Sequence, residues 1–180
     1  MAKIGLSNIW YATCTDAGNG TVTYGTATAF GRAVSVNVSV DNADARLYAD
    51  NILAEIDSQF TGGTVSLTVA DQDEAVFAAL LGHTEASDEV TKKDSDAAPY
   101  VGIGYVVTYM KGGTLGYRGY ILSKVKFSEP SVEANTRGQS TEFGTTTVEG
   151  TIMATSGGTW CKVKDFASLT DAVSYVKAFA

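Results

Sequence analysis

The chain has 180 residues, of which 13 are Lys or Arg and 20 are Asp or Glu, giving a formal net charge of −7. This length suits one domain that buries roughly 70% of its unfolded surface. The acidic balance argues against a protein that holds nucleic-acid phosphates or anionic membranes through clustered positive charge.

The beginning of the sequence, MAKIGLSNIWYATC, does not have the apolar run of a signal peptide. No stretch approaches the roughly 18 apolar residues of a membrane-spanning helix. We therefore expect a chain that folds in the cytoplasm, where Cys14 and Cys161 stay free thiols by default.

The first strands follow from alternation of apolar and polar residues. Residues 4–13 predict one strand, and DAGNG at 16–20 predicts a turn. Residues 33–40 give the clearest strand, in which Val34, Val36, Val38 and Val40 alternate with Ser35, Asn37 and Ser39. Its apolar side needs a core, and its polar side needs water or a partner.

The next segment, 41–63, is acidic, with five carboxylates against one Arg over residues 41–57. Two short arms, 47–49 and 52–56, flank Asp50-Asn51 and predict a hairpin with a two-residue turn. The competing interpretation is a helix over 43–56. We favour the hairpin because Asp and Asn are poor residues for the centre of a helix.

A strand over 64–70 leads directly into a short helix over 71–82. Asp71 is the predicted N-cap, Glu74 stands in the capping-box position, and Gly82 ends the helix. His83, the one histidine of the chain, follows the helix C-terminus, where a cation is favourable. The polar residues 85–98 predict an exposed loop.

The second half predicts four further strands and a closing helix. The strands are 101–109, 115–127, 141–155 and 160–166, and the helix, capped by Ser168 or Asp171, covers 169–179. The first two strands form a hairpin around residues 111–114. The chain is thus predicted to be mainly β, with eight to ten strands and two short helices.

Charge is distributed unevenly, with −4 over residues 41–57, −6 over 71–96 and +4 over 111–126. One interpretation is an ordinary solvated surface. The other is self-complementarity, in which the basic hairpin of one copy meets acidic segments of another copy.

The sequence offers little catalytic chemistry. It has no second histidine, no CxxC spacing and no GxSxG motif. Gly102-Ile103-Gly104 stands inside a strand and indicates close backbone packing rather than a dinucleotide turn. We predict no enzyme activity, no cofactor, no metal and no catalytic residues.

Several stretches, in this order, resemble the major tail proteins of long-tailed bacteriophages, in particular the phi13-type family. They are LYADN at 47–51, GTVSLTVA at 63–70, LLGH at 80–83, KVKFSEP at 124–130, ANTRG at 134–138 and the run 143–150. The resemblance implies a single tail tube domain over 1–180, built as two packed antiparallel sheets in a β-sandwich or barrel-like fold. One flanking helix and a short C-terminal helix complete it.

The resemblance also implies a function. Tail tube subunits form hexameric rings that stack into a hollow tube of the virion tail, assembled in the host cytoplasm, through which phage DNA passes as non-specific cargo. Tape-measure and tail terminator proteins are the implied partners, and no membrane contact is expected. The segment 41–63 is then the candidate projecting loop or hairpin between rings, unless its apolar residues fold back on their own core.

Eight residues are the candidates for contacts between subunits, with no catalytic group among them. They are Leu47, Tyr48, Asp50, Asn51 and Ile52 of the acidic segment and Arg118, Lys124 and Lys126 of the basic arm. The alternative function is a carbohydrate-binding or adhesin-like β-sandwich, because the nine Tyr residues could form an aromatic sugar-binding face.

Overall fold

The computed structural model describes residues 2–49, 52–70, 73–87, 89–131 and 145–179. The strands in these ranges are β1 Ala2–Asp16, β2 Val22–Tyr24, β3 Thr28–Gly31, β4 Ala33–Ala49, β5 Ile52–Val69, β6 Thr84–Ala86, β7 Glu89–Thr91, β8 Val101–Lys111, β9 Thr114–Phe127, β10 Thr146–Met153 and β11 Cys161–Phe166. The helices are α1 Glu74–Leu81 and α2 Leu169–Ala178.

Nine of these strands form one antiparallel sheet in the order β2-β1-β8-β9-β10-β5-β4, with β3 also paired to β1 and β11 also paired to β9. The strands β6 and β7 form a separate two-stranded sheet. The prediction of a mainly β fold with two short helices is confirmed. The two layers expected from the resemblance are parts of this one large sheet. The sheet curls, so that side chains of β1 and β5, four places apart in strand order, share one core.

This core fills the inside of the curled sheet. Its fully buried members include Ile9, Leu67, Ile103, Leu122 and Ile152, which come from five different strands. The apolar face of α1, formed by Val76, Phe77, Leu80 and Leu81, packs into the same core. The helix therefore covers the end of the curled sheet at which β5 finishes.

The helix α1 begins later than the sequence indicated. Its N-cap is Asp73, whose Oδ1 accepts a hydrogen bond from the backbone N–H of Ala75 at 3.1 Å. Asp71 lies outside the described residues, and Glu74 is the first helical residue rather than a capping-box partner. Gly82 ends the helix with φ 79°, as predicted.

Two polar segments differ in part from the prediction. The predicted loop over 85–98 is not loop throughout, because β6 and β7 form a small hairpin in which Thr84 pairs with Thr91. The predicted strand 141–155 is described only from residue 145 onward, where β10 covers Thr146–Met153.

The second helix, α2, packs on the outer face of the sheet. Its buried residues Ala172 and Val176 form a second core with side chains of β1, β8 and β9. The predicted close packing at Gly104 is confirmed, since a Cβ placed there would lie 2.7 Å from the carbonyl oxygen of Val176. Glycine in this strand lets the helix approach the sheet backbone.

A substitution at this contact tests that packing. We expect Gly104→Ala to lower the free energy of unfolding by about 1–3 kcal/mol, because the added methyl group overpacks the α2 contact. Gly5→Ala is the matched control, since a Cβ there meets no atom within 4 Å. Urea unfolding of both variants measures the difference, and equal stabilities would contradict the packing role of Gly104.

The segment 41–62 is a hairpin, and the alternative of a helix over 43–56 is wrong. Ala49 pairs with Ile52, so the two predicted arms are antiparallel partners, and the predicted turn residues 50–51 lie outside the described residues. The strand β10 pairs with β5 only as far as Gly63, and in the described chain residues 41–49 and 52–62 pair only with each other. This part, called the projecting hairpin below, is about 26 Å long at roughly 3.3 Å per residue.

Candidate functional site

The projecting hairpin exposes large apolar side chains. Leu47 is 58% exposed, Tyr48 62% and Ile56 56%. Leu47 and Tyr48 therefore do not fold back on their own core. Asp50 and Asn51 lie outside the described residues, and of Ile52 the structure describes only the backbone pairing with Ala49. Exposed apolar patches often mark interaction sites, so this ribbon is a candidate contact surface.

The root of the projecting hairpin is fixed to the rest of the molecule. The ring of Phe60 stacks on Trp160 with centroids 4.8 Å apart and planes 5° apart. The hydroxyl of Thr61 donates a hydrogen bond to the carbonyl oxygen of Asp41 at 3.0 Å. The hairpin is thus anchored where it leaves the sheet, while its outer part is exposed.

The curled sheet is open at the end away from α1. A cavity of about 590 Å³, called the mouth below, lies between Lys3–Leu6 of β1 and Ser35–Val38 of β4. Side chains of β8, β9 and the β11 region line the rest of it: Tyr105, Val107, Tyr120, Leu122, Trp160, Cys161 and Val163. The rings of Tyr105 and Tyr120 stack there at 5.1 Å. Its lining is more apolar than polar, and the mouth is larger than the cavities beside Phe179, Lys111 and Arg32.

The projecting hairpin and the mouth lie at the same end of the molecule. The strand β4 forms one wall of the mouth with Ser35–Val38 and then continues outward as the first arm of the hairpin. The opposite wall is the beginning of β1, where Ala2 pairs with Met110 next to the β8–β9 turn.

Two strand edges are unpaired in the described part of the sheet. The strand β4 ends the strand order, so its outer edge has no neighbour along Ala33–Ala49. The first half of β1 pairs only with β8, because its pairing with β3 starts at Ile9 and its pairing with β2 at Cys14. Long exposed edges of this kind are templates for pairing with another chain.

The predicted basic contacts are largely satisfied within the chain. Arg118 forms a two-pronged ion pair with Asp165, with Nε–Oδ1 at 2.5 Å and Nη2–Oδ2 at 2.8 Å. This pair holds the pKa of Asp165 below its ordinary value. Lys124 is 17% exposed and its Nζ donates to Asp16 at 3.0 Å. Lys126 is exposed, with its Nζ 5.5 Å from the ring centroid of Tyr100.

Arg118 and Lys124 therefore have carboxylate partners within the chain, and their role in contacts between subunits stays a prediction. Their charges are already neutralised by carboxylates on β11 and at the end of β1. Local sequence could not indicate this, because Lys124 and Asp16 are 108 positions apart.

Asp16 is a structural residue that the sequence placed only in a turn. Its carboxylate accepts hydrogen bonds from the backbone N–H and hydroxyl of Ser156, from Lys124 and from the N–H of Gly18. These donors, with the Ser156 hydroxyl first, hold the pKa of Asp16 well below its ordinary value. Asp16 thus connects the β1–β2 turn to the β10–β11 turn.

His83 also has a different role from the one predicted. Its backbone N–H donates to the Ala78 carbonyl oxygen at 2.9 Å, but its side chain lies between two carboxylates. Nδ1 is 2.8 Å from Asp96 Oδ2, and Nε2 is 3.0 Å from Glu129 Oε2, which in turn pairs with Lys92. The hydrogen bond with Asp96, followed by that with Glu129, raises the pKa of His83.

A dependence of stability on pH follows from this cluster. A raised folded-state pKa means that His83 stabilises the fold fully below about pH 6.5, and that this contribution is lost as pH rises through the folded-state value. We expect wild-type stability to fall relative to His83→Gln over that range. Urea unfolding of both proteins between about pH 5.5 and pH 9 measures it. A constant difference would contradict a protonated His83.

Within the described ranges, no three His, Cys, Asp or Glu side chains cluster closely enough to hold a metal ion. No described helix has both the length and the hydropathy needed to span a membrane. No protein-family model and no curated protein matches the chain. The projecting hairpin, the mouth and the unpaired strand edges are the features from which a function is argued below.

Proposed function

We propose that this protein is a structural subunit of a phage tail tube, which assembles into hexameric rings that stack into a hollow conduit. The observation that carries the proposal is the projecting hairpin, because a folded monomer gains nothing from exposed Leu47, Tyr48 and Ile56. Such side chains are stabilising when a second copy covers them.

The unpaired edge of β4 supports the same role. A sister copy can pair with this edge through backbone hydrogen bonds, and a head-to-tail contact whose rotation closes generates a ring. Ring closure then leaves no unpaired lateral edge. This gives a physical reason for a sheet that ends in a 17-residue strand.

The charge and polarity of the chain suit a water-filled bore. Ser35, Asn37 and Ser39 are exposed on β4, and the subunit carries a net charge of −7. A basic lining would hold DNA by its phosphates, whereas an acidic subunit lets non-specific DNA cargo pass. Tape-measure and tail terminator proteins are the further partners in this proposal, and its place is the virion tail.

Electron microscopy of the concentrated, purified chain tests the proposal. We expect six-fold rings or hollow filaments, with a molar mass by light scattering well above the monomer's 18.8 kDa. A persistent monomer that binds a glycan array would contradict it and favour the carbohydrate-binding alternative. The aromatic residues of the mouth give that alternative little support, because Trp160 stacks on Phe60 and Tyr105 stacks on Tyr120.

A further inference from the structure

Exposed apolar side chains gather at the end of the molecule that holds the mouth. Ile4 and Val163 line the mouth and are 55% and 52% exposed. Met110 and Leu115 are exposed at the adjoining β8–β9 turn, whose first strand pairs with the beginning of β1. The projecting hairpin, with its own exposed apolar residues, leaves the molecule at this same end.

The mouth and the projecting hairpin have opposite charge. Among the described residues that line the mouth, Lys3 alone is charged, and Lys111 lies in the adjoining turn. In the described part of the projecting hairpin, four carboxylates stand against Arg46: Asp41, Asp44, Glu55 and Asp57. The two surfaces are therefore complementary both in apolar character and in charge.

The symmetry of a ring decides whether the mouth meets the hairpin of a neighbour in the same ring or of a copy in the next ring. Neighbours within a ring are related by rotation about the ring axis, so every mouth and every hairpin lies on the same side of the ring. A hairpin that instead reached the next ring of a head-to-tail stack would meet the opposite end of its copies, which is the α1 end that the helix closes. Resting on the proposed function, we propose that the mouth is the receptor for the projecting hairpin of the neighbouring copy in the same ring.

This contact assigns the hairpin to ring closure, whereas the sequence suggested a contact between rings. Each copy gives its hairpin to one neighbour and receives the hairpin of the other. The contact is thus head-to-tail and closes after a fixed number of copies. It covers Leu47 and Tyr48 together with Ile4 and Val163.

Disulfide trapping between two different variants tests the contact. Leu47→Cys chains are mixed with Val163→Cys chains, both carrying Cys161→Ser, and assembled protein is oxidised with diamide. We expect a disulfide between residues 47 and 163 of different chains, identified by mass spectrometry of the linked peptides. The competing pair is Leu47→Cys with Glu85→Cys, because Glu85 is exposed on β6, next to α1.

The outcomes separate this inference from the proposed function. A disulfide with position 85, or rings by microscopy with neither disulfide, overturns the hairpin–mouth contact and leaves the tube subunit standing. A monomer that forms neither disulfide overturns both. A 47–163 disulfide supports the contact. If that disulfide forms in dimers that do not close into rings, the contact stands and only the proposal of a tube subunit is contradicted.

A charge reversal gives an independent measurement. We expect Lys3→Glu to weaken self-association several-fold, because it places a carboxylate in the mouth opposite an acidic hairpin. Asp44→Lys in the same chain should restore most of the loss. Sedimentation velocity over a concentration series measures both. An unchanged association constant for Lys3→Glu would contradict the docking of the hairpin in the mouth.

Discussion

A chain in which residues 45–57 are replaced by Asn-Gly is expected to fold normally and to remain monomeric. Asp44 and Ser58 are paired across the hairpin, so a two-residue turn can join them without changing the register below. The variant removes exposed Leu47, Tyr48 and Ile56 together with three of the five carboxylates of the segment. Light scattering and negative-stain microscopy measure the result against the wild-type chain.

The matched control keeps the hairpin at full length and changes only its surface. Leu47→Ser, Tyr48→Ser and Ile56→Ser in one chain should also abolish assembly, because they remove the exposed apolar area. Thermal unfolding of both variants should stay close to that of the wild type. Long tubes from the truncated chain would show that the hairpin is not an assembly element.

The largest expected loss of stability comes from Phe30→Ala, at about 3–5 kcal/mol. Phe30 is 1% exposed, and its ring contacts those of Tyr11, Phe77 and Phe127 with centroids 6.1–6.2 Å apart. It therefore joins β1, α1 and β9 in one aromatic cluster. Truncation to alanine leaves a cavity that β3, β1, α1 and β9 cannot close, because protein interiors are rigidly packed.

Two comparisons calibrate this loss. Phe30→Leu should cost less than the alanine variant, because most of the buried volume is retained. Tyr48→Ala, on the exposed hairpin, should change monomer stability by at most about 0.5 kcal/mol. Urea unfolding under monomeric conditions measures all three. A Phe30→Ala cost below about 1 kcal/mol would contradict the central position of this ring.

The sequence predicted features that depend on local pattern. Two apolar arms around Asp50-Asn51 predicted a hairpin, and the two arms are paired as antiparallel strands. The end of α1 at Gly82 is also local, because a left-handed residue favours glycine. Gly104 could be assigned to close packing because a dinucleotide turn needs a following helix that the sequence lacks.

Features that depend on distant partners could not be predicted. Asp71 and Asp73 are chemically equivalent candidates for the N-cap, and only the backbone path places Asp73 at the helix start. His83 has partners 13 and 46 positions away, Asp96 and Glu129, and the partner of Arg118 lies 47 positions away. Phe30 stands in a four-residue strand that is too short for a clear period.

The same limit applies to the mouth. Its walls come from both ends of the strand order, β1 and β4, and from β8, β9 and the β11 region between them. Each of these strands alternates normally, and nothing local marks Ile4 or Val163 as more exposed than a core residue. The mouth arises because the large sheet curls and α1 covers only one end of it.

Hydrogen exchange of the projecting hairpin as a function of protein concentration tests the central claim most directly. If sister copies cover residues 41–49 and 55–62, their amides should become protected as the concentration rises, while amides of the interior strand β8 exchange at a constant rate. Exchange that stays equally fast at every concentration would contradict self-association through this surface.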